Sequence, residues 1–248
     1  MLITVGSVTA FFVLWQVLGL VVELSPSMFA SPLEVGAALL DLAATGELWQ
    51  HVAATASLFG VGFALAAIVG VAIGLVLGSS ESLEDAFGPY LMALYAAPRV
   101  AFMPLLLVWF GVGLVSHAAL VFLSALFPIT IATLAGAKAV DRTLLKTARS
   151  FGATRATIFT KVVLPFAIPS ILAGLRLGVG RGLIGTFVAE MFGATAGLGF
   201  LIIRAGFLFQ PDVLLGGVLV LAVLSIALTE GIGWLGRRVA PWHRGLMV

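Results

Sequence analysis

The chain has 248 residues, of which 61% are hydrophobic and only 10% are charged, and its formal net charge is +2. Soluble domains carry about 25% charged residues, so this composition excludes an ordinary soluble domain and indicates an integral membrane protein. The sequence contains no cysteine, which excludes a disulfide framework and thiol chemistry.

The first apolar stretch, Leu2 to Val22, is long enough for a transmembrane helix, which needs about 20 residues. A cleaved signal peptide is the alternative, and it is disfavoured because the stretch lacks a basic start and is too long. The next segment, 23–47, contains two prolines and four acids but no lysine or arginine. We expect it on the outer side of the membrane, with a short interfacial helix over 35–44.

The second predicted span lies within 52–78 and carries a small residue at every fourth position. These residues are Gly62, Ala66, Gly70, Gly74 and Gly78. Small side chains at this spacing let another helix approach closely in lipid, so the stripe predicts a tight helix–helix contact. The alternative is that the glycines are scattered without a packing role. The acidic segment 79–88 that follows is expected inside by alternation of spans, although the positive-inside rule does not support that side.

The third predicted span, about 90–110, contains Pro98 and Pro104, and each proline removes a helical hydrogen bond. Arg99 directly follows the first proline. A charge at membrane depth costs about 2.5–3.5 kcal/mol on insertion scales, so such a side chain usually faces a cavity or a partner. The alternative is that Arg99 reaches back to the inner interface.

Three further spans are predicted at about 117–137, 166–189 and 213–235. Residues 193–212 are too broken for an ordinary span and predict a short re-entrant or interfacial helix on the outer side. The count is therefore six spans with both ends inside. The basic residues of the tail agree with that orientation, and they are Arg237, Arg238 and Arg244.

The fifth predicted span carries a second glycine stripe, formed by Gly174, Gly178 and Gly182. The candidate residues of a translocation pathway are Pro98, Arg99, Met103, Arg176, Arg181 and Glu190. A cavity lined by arginine would favour anions. The alternative is that Arg176 or Arg181 pairs with Glu190 as structural support. Arg204 and Glu230 are further candidates for buried charges.

A basic segment separates the fourth and fifth spans. Residues 141–165 contain five basic residues and one acid, with Lys138 just upstream. Basic loops mark the cytoplasmic face of a membrane protein. The helical spacing of Leu144, Ala148 and Phe151 predicts a helix in this segment. Its ends are predicted from a cap at Asp141 and a turn at Gly152, and a second short helix is expected from Thr154. We interpret this hairpin as a docking surface.

Signatures of catalysis are missing from the sequence. No HExxH, GxSxG or GxxxxGK[ST] motif occurs, which argues against a membrane protease, a hydrolase and a built-in ATPase. His51, His117 and His243 are far apart and near predicted span ends, so we interpret them as interfacial. We expect no catalytic residue, no metal, no nucleic acid partner and no cofactor bound by this chain.

The hairpin resembles the cytoplasmic signature of bacterial ABC importer permeases, EAA-x3-G-x9-I-x-LP. Lys146, Thr147 and Ala148 take the EAA positions, Gly152 follows after three residues, and VVLP (162–165) takes the I-x-LP positions. The sequence departs from the signature at Lys146 and Thr147. The departure at Lys146 concerns the salt bridge that a glutamate would offer an ATPase, and it leaves the spacing of the hairpin intact.

The resemblance extends over most of the chain. GELWQH (46–51), AAPRVAFMPLLLVWFGVG (96–113) and residues 164–202 are similar to permeases of the nitrate, sulfonate, taurine and bicarbonate importer group. The implied fold is all-α, a polytopic type I importer permease with six transmembrane helices in a single domain, 1–248. Its core spans would cover about 52–235, with the coupling hairpin at 141–165.

The resemblance also implies partners and a cycle. The permease would form a homodimer in the bacterial inner membrane, with an ABC ATPase dimer that holds ATP and Mg on the cytoplasmic side and a binding protein outside. ATP binding would draw the hairpins together and swing the third to fifth spans, passing a small anionic solute inward by alternating access. The implied ATPase-coupling residues are Lys146, Thr147, Ala148, Arg149, Phe151, Gly152, Ala153, Leu164 and Pro165.

Two rival functions fit the sequence less well. An ion-coupled secondary transporter needs carboxylates at mid-membrane, and the chain offers few. A membrane-embedded enzyme needs a catalytic cluster, which the sequence does not contain. Related permeases serve aromatic acids and vitamin precursors as well as small oxyanions.

Overall fold

A computed structural model describes residues 2–21 and 28–239, and within these ranges the chain is helical with no strand. A 3-10 turn (Arg99–Phe102) and a π turn (Phe159–Val163) interrupt the α-helices. The α-helices are α1 (Leu2–Val21), α2 (Pro32–Ala44), α3 (Glu47–Gly78), α4 (Glu81–Ala96), α5 (Met103–Phe110), α6 (Leu114–Lys138), α7 (Arg142–Ser150), α8 (Arg155–Ile158), α9 (Leu164–Met191), α10 (Leu198–Phe207) and α11 (Pro211–Val239).

Four helical runs of the described chain are long and apolar enough to cross a membrane: α3, α6, α11 and the run Arg155–Met191. Helices α4 and α5 form a fifth candidate, a pair bent by 87°. The first predicted span coincides with α1, which has 20 residues. Val22 and part of the side chains of α1 lie outside the described residues, so the total of six spans stays a prediction.

The third span differs from the prediction at its start and at one proline. Helix α4 begins at Glu81, so most of the polar segment 79–88 is helical, and the Ser80 hydroxyl caps it by accepting from the Leu83 amide at 3.4 Å. Pro98 does break the span, because the residue before a proline is pushed out of the helical region. Pro104 lies in the first turn of α5, where a missing amide costs no helical bond, so the predicted break there is wrong.

The fifth span begins earlier than predicted. One helical run extends from Arg155 to Met191 and passes through the π turn. Pro165 is the second residue after that turn. A π turn changes the hydrogen-bonding pattern near a residue that has no amide hydrogen to donate. Pro165 therefore lies within the run instead of at the start of a separate helix.

Two short helices predicted between spans are confirmed as α2 and α10. Helix α2 starts at Pro32 with a capping box, in which the Ser31 amide donates to the Glu34 carboxylate at 2.7 Å and the Glu34 amide donates to the Ser31 hydroxyl at 3.4 Å. The hydrogen bond from the Ser31 backbone is the main cause that lowers the pKa of the Glu34 carboxyl.

The described chain packs into two compact units, and the prediction of one domain over 1–248 remains a prediction. The first unit runs to residue 57 and includes 190–224, and the second covers 58–189 and continues from 225. In the first unit, Leu198 and Leu201 of α10 pack against Leu42 of α2 and Leu48 of α3.

Helix α6 is the centre of the second unit, with 61% of its span buried against 33% for α3. The small-residue stripe of α3 faces it. A Cβ added to Gly74 would lie 2.6 Å from the Thr130 carbonyl oxygen, and one on Gly62 would lie 2.6 Å from the Val121 Cβ. The predicted close contact of the α3 stripe is therefore confirmed.

The glycine stripe of α9 also faces α6. A Cβ on Gly174 would lie 2.8 Å from the Ala132 Cβ, and one on Gly178 would lie 2.8 Å from the Ile129 Cγ1. Close packing at this stripe is confirmed as well, and α6 is contacted by two helices that both approach at backbone distance.

Candidate functional site

The predicted helical hairpin is present between α6 and α9. The Asp141 carboxylate accepts from the Thr143 amide at 2.7 Å and caps α7. At the other end Gly152 has φ +78°, and its amide donates to the Arg149 carbonyl at 2.9 Å. The Thr154 hydroxyl then accepts from the Thr157 amide at 3.2 Å and caps α8. The helix ends predicted at Asp141, Gly152 and Thr154 are all confirmed.

The hairpin has an exposed face and a packed face, and the nine candidate coupling residues divide between them. Those with exposed positions are Lys146, Thr147, Arg149, Phe151 and Gly152. Phe151 is 87% exposed. Those packed against the core of the second unit are Ala148, Ala153 and Leu164, and Pro165 is half-buried. That core includes Leu75 of α3, Ala137 of α6 and Ala167 of α9.

Acids at the start of α4 lie beside the start of the hairpin. Lys138 pairs with Glu84 at 2.6 Å and Arg142 pairs with Glu81 at 2.8 Å. A cavity of about 400 Å³ is lined by these four side chains and by Lys146. The acidic segment 79–88 therefore lies on the same side as the basic hairpin, and sequence reasoning missed the pairing. The complementary charges at the ends of these two spans are the signal that could have indicated it.

Arg99 lies at the bend between α4 and α5, in the 3-10 turn. Its guanidinium carbon is 5.2 Å from the centre of the Tyr95 ring and 6.0 Å from that of Phe127. The buried Nη1 atom has no hydrogen-bond partner among the described residues. Arg181 of α9 is exposed and close enough to interact electrostatically with Arg99.

The remaining pathway candidates lie in different surroundings. Pro98 is exposed, and Met103 is fully buried at 0% exposure. Arg176 is half-buried, and its guanidinium occupies the space that a Cβ on Gly233 of α11 would need. Within the described residues neither Arg176 nor Arg181 forms an ion pair.

Glu190 is buried, with 2% exposure, in a polar cluster at the start of α10. One carboxylate oxygen accepts from the Thr55 hydroxyl at 2.7 Å and the other accepts from the Gly199 amide at 2.7 Å. The Thr55 hydroxyl accepts from the Leu198 amide at 2.8 Å, and His51 Nδ1 accepts from the Gly197 amide at 3.0 Å. We call His51, Thr55 and Glu190 with these three amides the Glu190 cluster.

The Glu190 cluster supplies partners to the amides that a helix start leaves unpaired. An acidic group is also favoured there by the helix dipole. The hydrogen bonds of Glu190 come from a hydroxyl and an amide, instead of from Arg176 or Arg181 as the structural alternative proposed. Its role in the pathway stays a prediction.

Other charged candidates also differ from their interpretation. Arg204 and Glu230 are exposed instead of buried, and Arg204 pairs with Glu47 at 3.2 Å. His51 and His117 lie near the starts of α3 and α6, at the span ends where they were predicted, and both are buried in protein, while His243 lies outside the described residues. Among the residues that the structure describes, no group of His, Asp or Glu is arranged to hold a metal ion.

The sequence matches the profile of one protein family, the binding-protein-dependent transport system inner membrane component, over residues 66–244. It is 33% identical over 246 residues to the taurine transport system permease protein TauC of Escherichia coli (strain K12), covering 97% of this chain and 90% of TauC. It is 32% identical over 230 residues to the putative aliphatic sulfonates transport permease protein SsuC of Bacillus subtilis (strain 168), covering 93% of this chain and 83% of SsuC.

The fold is similar to that of a solved chain from inward-facing conformations of the MetNI methionine ABC transporter. The TM-score is 0.68 at 18% sequence identity, covering 77% of this chain and 97% of that one. At this identity the likeness concerns the fold alone.

Proposed function

The chain belongs to the family of binding-protein-dependent transport system inner membrane components, it is the permease of an ABC importer, and on that premise we propose how it is driven and what it carries. It is a transport subunit and not an enzyme. A separate ATPase dimer, which holds ATP and Mg²⁺, docks on the hairpin, and an external binding protein delivers the solute. Two copies of this chain form the pathway in the bacterial inner membrane, with both termini in the cytoplasm.

The main support for this proposal is that the hairpin has one exposed face and one face packed against the core. Phe151 is 87% exposed within a basic, polar segment, and a large apolar side chain in such a position is typical of a partner contact. The opposite face, through Ala148 and Ala153, packs against the cluster that joins α3, α6 and α9. A displacement of the exposed face by the ATPase is therefore transmitted directly to the spans of the second unit.

The charge of the exposed face indicates the chemistry of the partner surface. Lys146 and Arg149 are exposed, and Lys146 takes the position where related permeases have a glutamate. Opposite charges across an interface fix its register and exclude wrong partners. We therefore expect the ATPase of this system to present acidic residues to the hairpin.

The solute that fits the chain is a small anion of the sulfonate type. Two relatives are named for taurine and for aliphatic sulfonates, and taurine is itself a sulfonate. Arg99, Arg176 and Arg181 have no acidic partner among the described residues, and positive side chains along a pathway favour anions. Membership of the importer family does not favour the alternative of an ion-coupled secondary transporter.

The docking role can be tested with Gly152→Asp. No atom lies within 4 Å of a Cβ added at Gly152, and aspartate tolerates its positive φ better than most residues, so the new side chain affects mainly what binds outside. We expect the permease to insert normally, while ATPase stimulation by the loaded binding protein falls at least about tenfold, as for loss of an interface hot spot.

Gly36→Asp is the control for a carboxylate added in open space. No atom lies within 4 Å of a Cβ added at Gly36, and this glycine lies in α2, outside the hairpin. We expect it to retain ATPase association and uptake. Normal ATPase co-purification and normal uptake by Gly152→Asp would contradict the docking assignment.

A further inference from the structure

The surroundings of Arg99 satisfy its charge only in part. The faces of Tyr95 and Phe127 attract the cation, but an aromatic face at 5.2 or 6.0 Å gives no acceptor for the Nη1 hydrogens. Nη1 is nevertheless buried and has no partner in the described structure. A buried, charged donor without an acceptor is unfavourable, and an acceptor from outside the protein would remove that cost.

Arg181 supplies a second cation at the same level of α6. Its neighbours Gly178 and Gly182 pack against Ile129 and Ala125, which flank the Phe127 ring beside Arg99. Arg181 is exposed and forms no ion pair with a described acid. Two neighbouring cations repel each other unless an anion lies between them. The pair therefore has both the charge and the free hydrogen-bond donors that an oxyanion requires.

The backbone at this point also suits a transport site. Arg99 begins a 3-10 turn in a pair of helices bent by 87°. Irregular backbone at membrane depth is tolerated where it is buried in protein or lines a water-filled cavity, and transporters commonly bind solutes at interrupted helices.

From these observations we propose that Arg99 and Arg181 form a transient binding site for the oxyanion group of the solute, a sulfonate, inside the pathway. The proposal rests on the function proposed above. Each guanidinium can donate two parallel N–H bonds to sulfonate oxygens. Two arginines without further ligands bind such a group weakly enough for release, which passage through a pathway requires.

The test uses the complete transporter, with permease, ATPase and binding protein, reconstituted in proteoliposomes and supplied with radiolabelled taurine. In Arg99→Gln and in Arg181→Gln we expect taurine uptake to fall about tenfold or more, the effect of one charged hydrogen bond. ATP hydrolysis stimulated by the loaded binding protein should persist, and the melting temperature of the purified complex should not fall.

Arg238→Gln is the matched control, because Arg238 also lies over an aromatic ring, 4.3 Å from the centre of Trp234, but on the last turn of α11. It should retain uptake. Full uptake by both Arg99→Gln and Arg181→Gln would overturn the site, and so would a parallel fall of uptake and ATP hydrolysis.

Arginine labelling distinguishes a solute from a lipid headgroup, since both carry an oxyanion. Phenylglyoxal modifies accessible arginines, and mass spectrometry measures its reaction at Arg181. We expect taurine to slow this reaction in the wild-type transporter but not in Arg99→Gln, and ethanolamine, which lacks the sulfonate, to have no effect. An Arg181 that is already shielded before taurine is added, and unaffected by it, would assign the anion to lipid phosphate and overturn the proposal.

Failure of the site and failure of the proposed function give different results. If the wild-type transporter takes up no taurine and Gly152→Asp behaves as wild type, the proposed function fails. If the wild type transports taurine and Gly152→Asp is uncoupled, while both arginine variants transport fully, only the anion site is wrong.

Discussion

The Glu190 cluster and the surroundings of Arg99 both place an ionisable side chain in an apolar protein. They differ in whether the polar atoms of that side chain have hydrogen-bond partners. Both oxygens of Glu190 accept a hydrogen bond of 2.7 Å, and the hydroxyl that donates one of them is itself an acceptor. Arg99 has two aromatic faces nearby, a neighbouring cation in Arg181, and a buried nitrogen without an acceptor in the described structure.

This difference separates a structural charge from one that is available to a ligand. A buried polar group with all its partners stabilises the arrangement that supplies them, and its loss is costly. A buried donor without a partner destabilises the fold, and binding of an acceptor removes that cost. Substitutions in the Glu190 cluster should therefore act on stability, and substitutions around the arginines should act on transport.

The largest expected effect is that of Glu190→Ala. It removes two hydrogen bonds and leaves the Gly199 amide buried without an acceptor, so we expect a loss of stability of about 3 kcal/mol or more, at about 1–3 kcal/mol for each group. The measurements are the melting temperature in detergent and the yield of monodisperse permease.

Glu190→Gln is the control for that substitution. Its amide oxygen can accept from Gly199 while its nitrogen donates to the Thr55 hydroxyl, so most of the stability should remain. If Glu190→Gln melted like the wild type but abolished taurine uptake, Glu190 would belong to the pathway and the contrast with Arg99 would be wrong.

A smaller effect is expected for Thr55→Val. Thr55 is fully buried, and without its hydroxyl the Leu198 amide loses its acceptor, which costs about 1–3 kcal/mol. Ser57→Ala, two residues away, removes a hydroxyl that binds only the Ala53 carbonyl of its own helix, and it should change stability by less than about 0.5 kcal/mol. Equal melting temperatures for the two variants would remove Thr55 from the structural cluster.

The smallest effect is expected for Gly233→Ala. This variant tests whether Arg176 is a structural charge, like Glu190, or is available to a ligand, like Arg99. Alanine favours a helix over glycine by about 1 kcal/mol, but here its Cβ needs the space of the Arg176 guanidinium. We expect little change in melting temperature and a several-fold loss of taurine uptake, because an unpaired arginine is displaced. Gly231→Ala is the control, because no atom lies within 4 Å of a Cβ added there. It should gain stability without a change in uptake. Uptake equal in both variants would exclude Arg176 from the pathway.

The features that could be predicted from sequence are those set by neighbours along the chain. Asp141, Gly152 and Thr154 mark the hairpin because caps and positive-φ turns require these residue types locally. The stripe from Gly62 to Gly78 is visible because helical periodicity alone brings its members to one face.

The Glu190 cluster could not be predicted, because its hydrogen bonds link side chains to partners that are 135 and 143 positions away in the sequence. The cluster also depends on where α10 begins. The ion pairs of Glu81 and Glu84 were missed for a similar reason, since their basic partners follow two spans later in the sequence. Pro104 was misread because a proline breaks a helix or starts one depending on its position within it.

The position of α6 between α3 and α9 restricts how this permease can diverge. A Cβ added to a stripe glycine of either neighbour would lie within 3 Å of an atom of α6, as at Gly74 of α3 and Gly174 of α9. A larger side chain at these contacts therefore forces the helix backbones apart. Mutational drift is therefore confined to other surfaces. Orthologues that have acquired a different cargo should keep small residues at positions 62, 74, 174 and 178 and should vary first at the bend around residues 97–102.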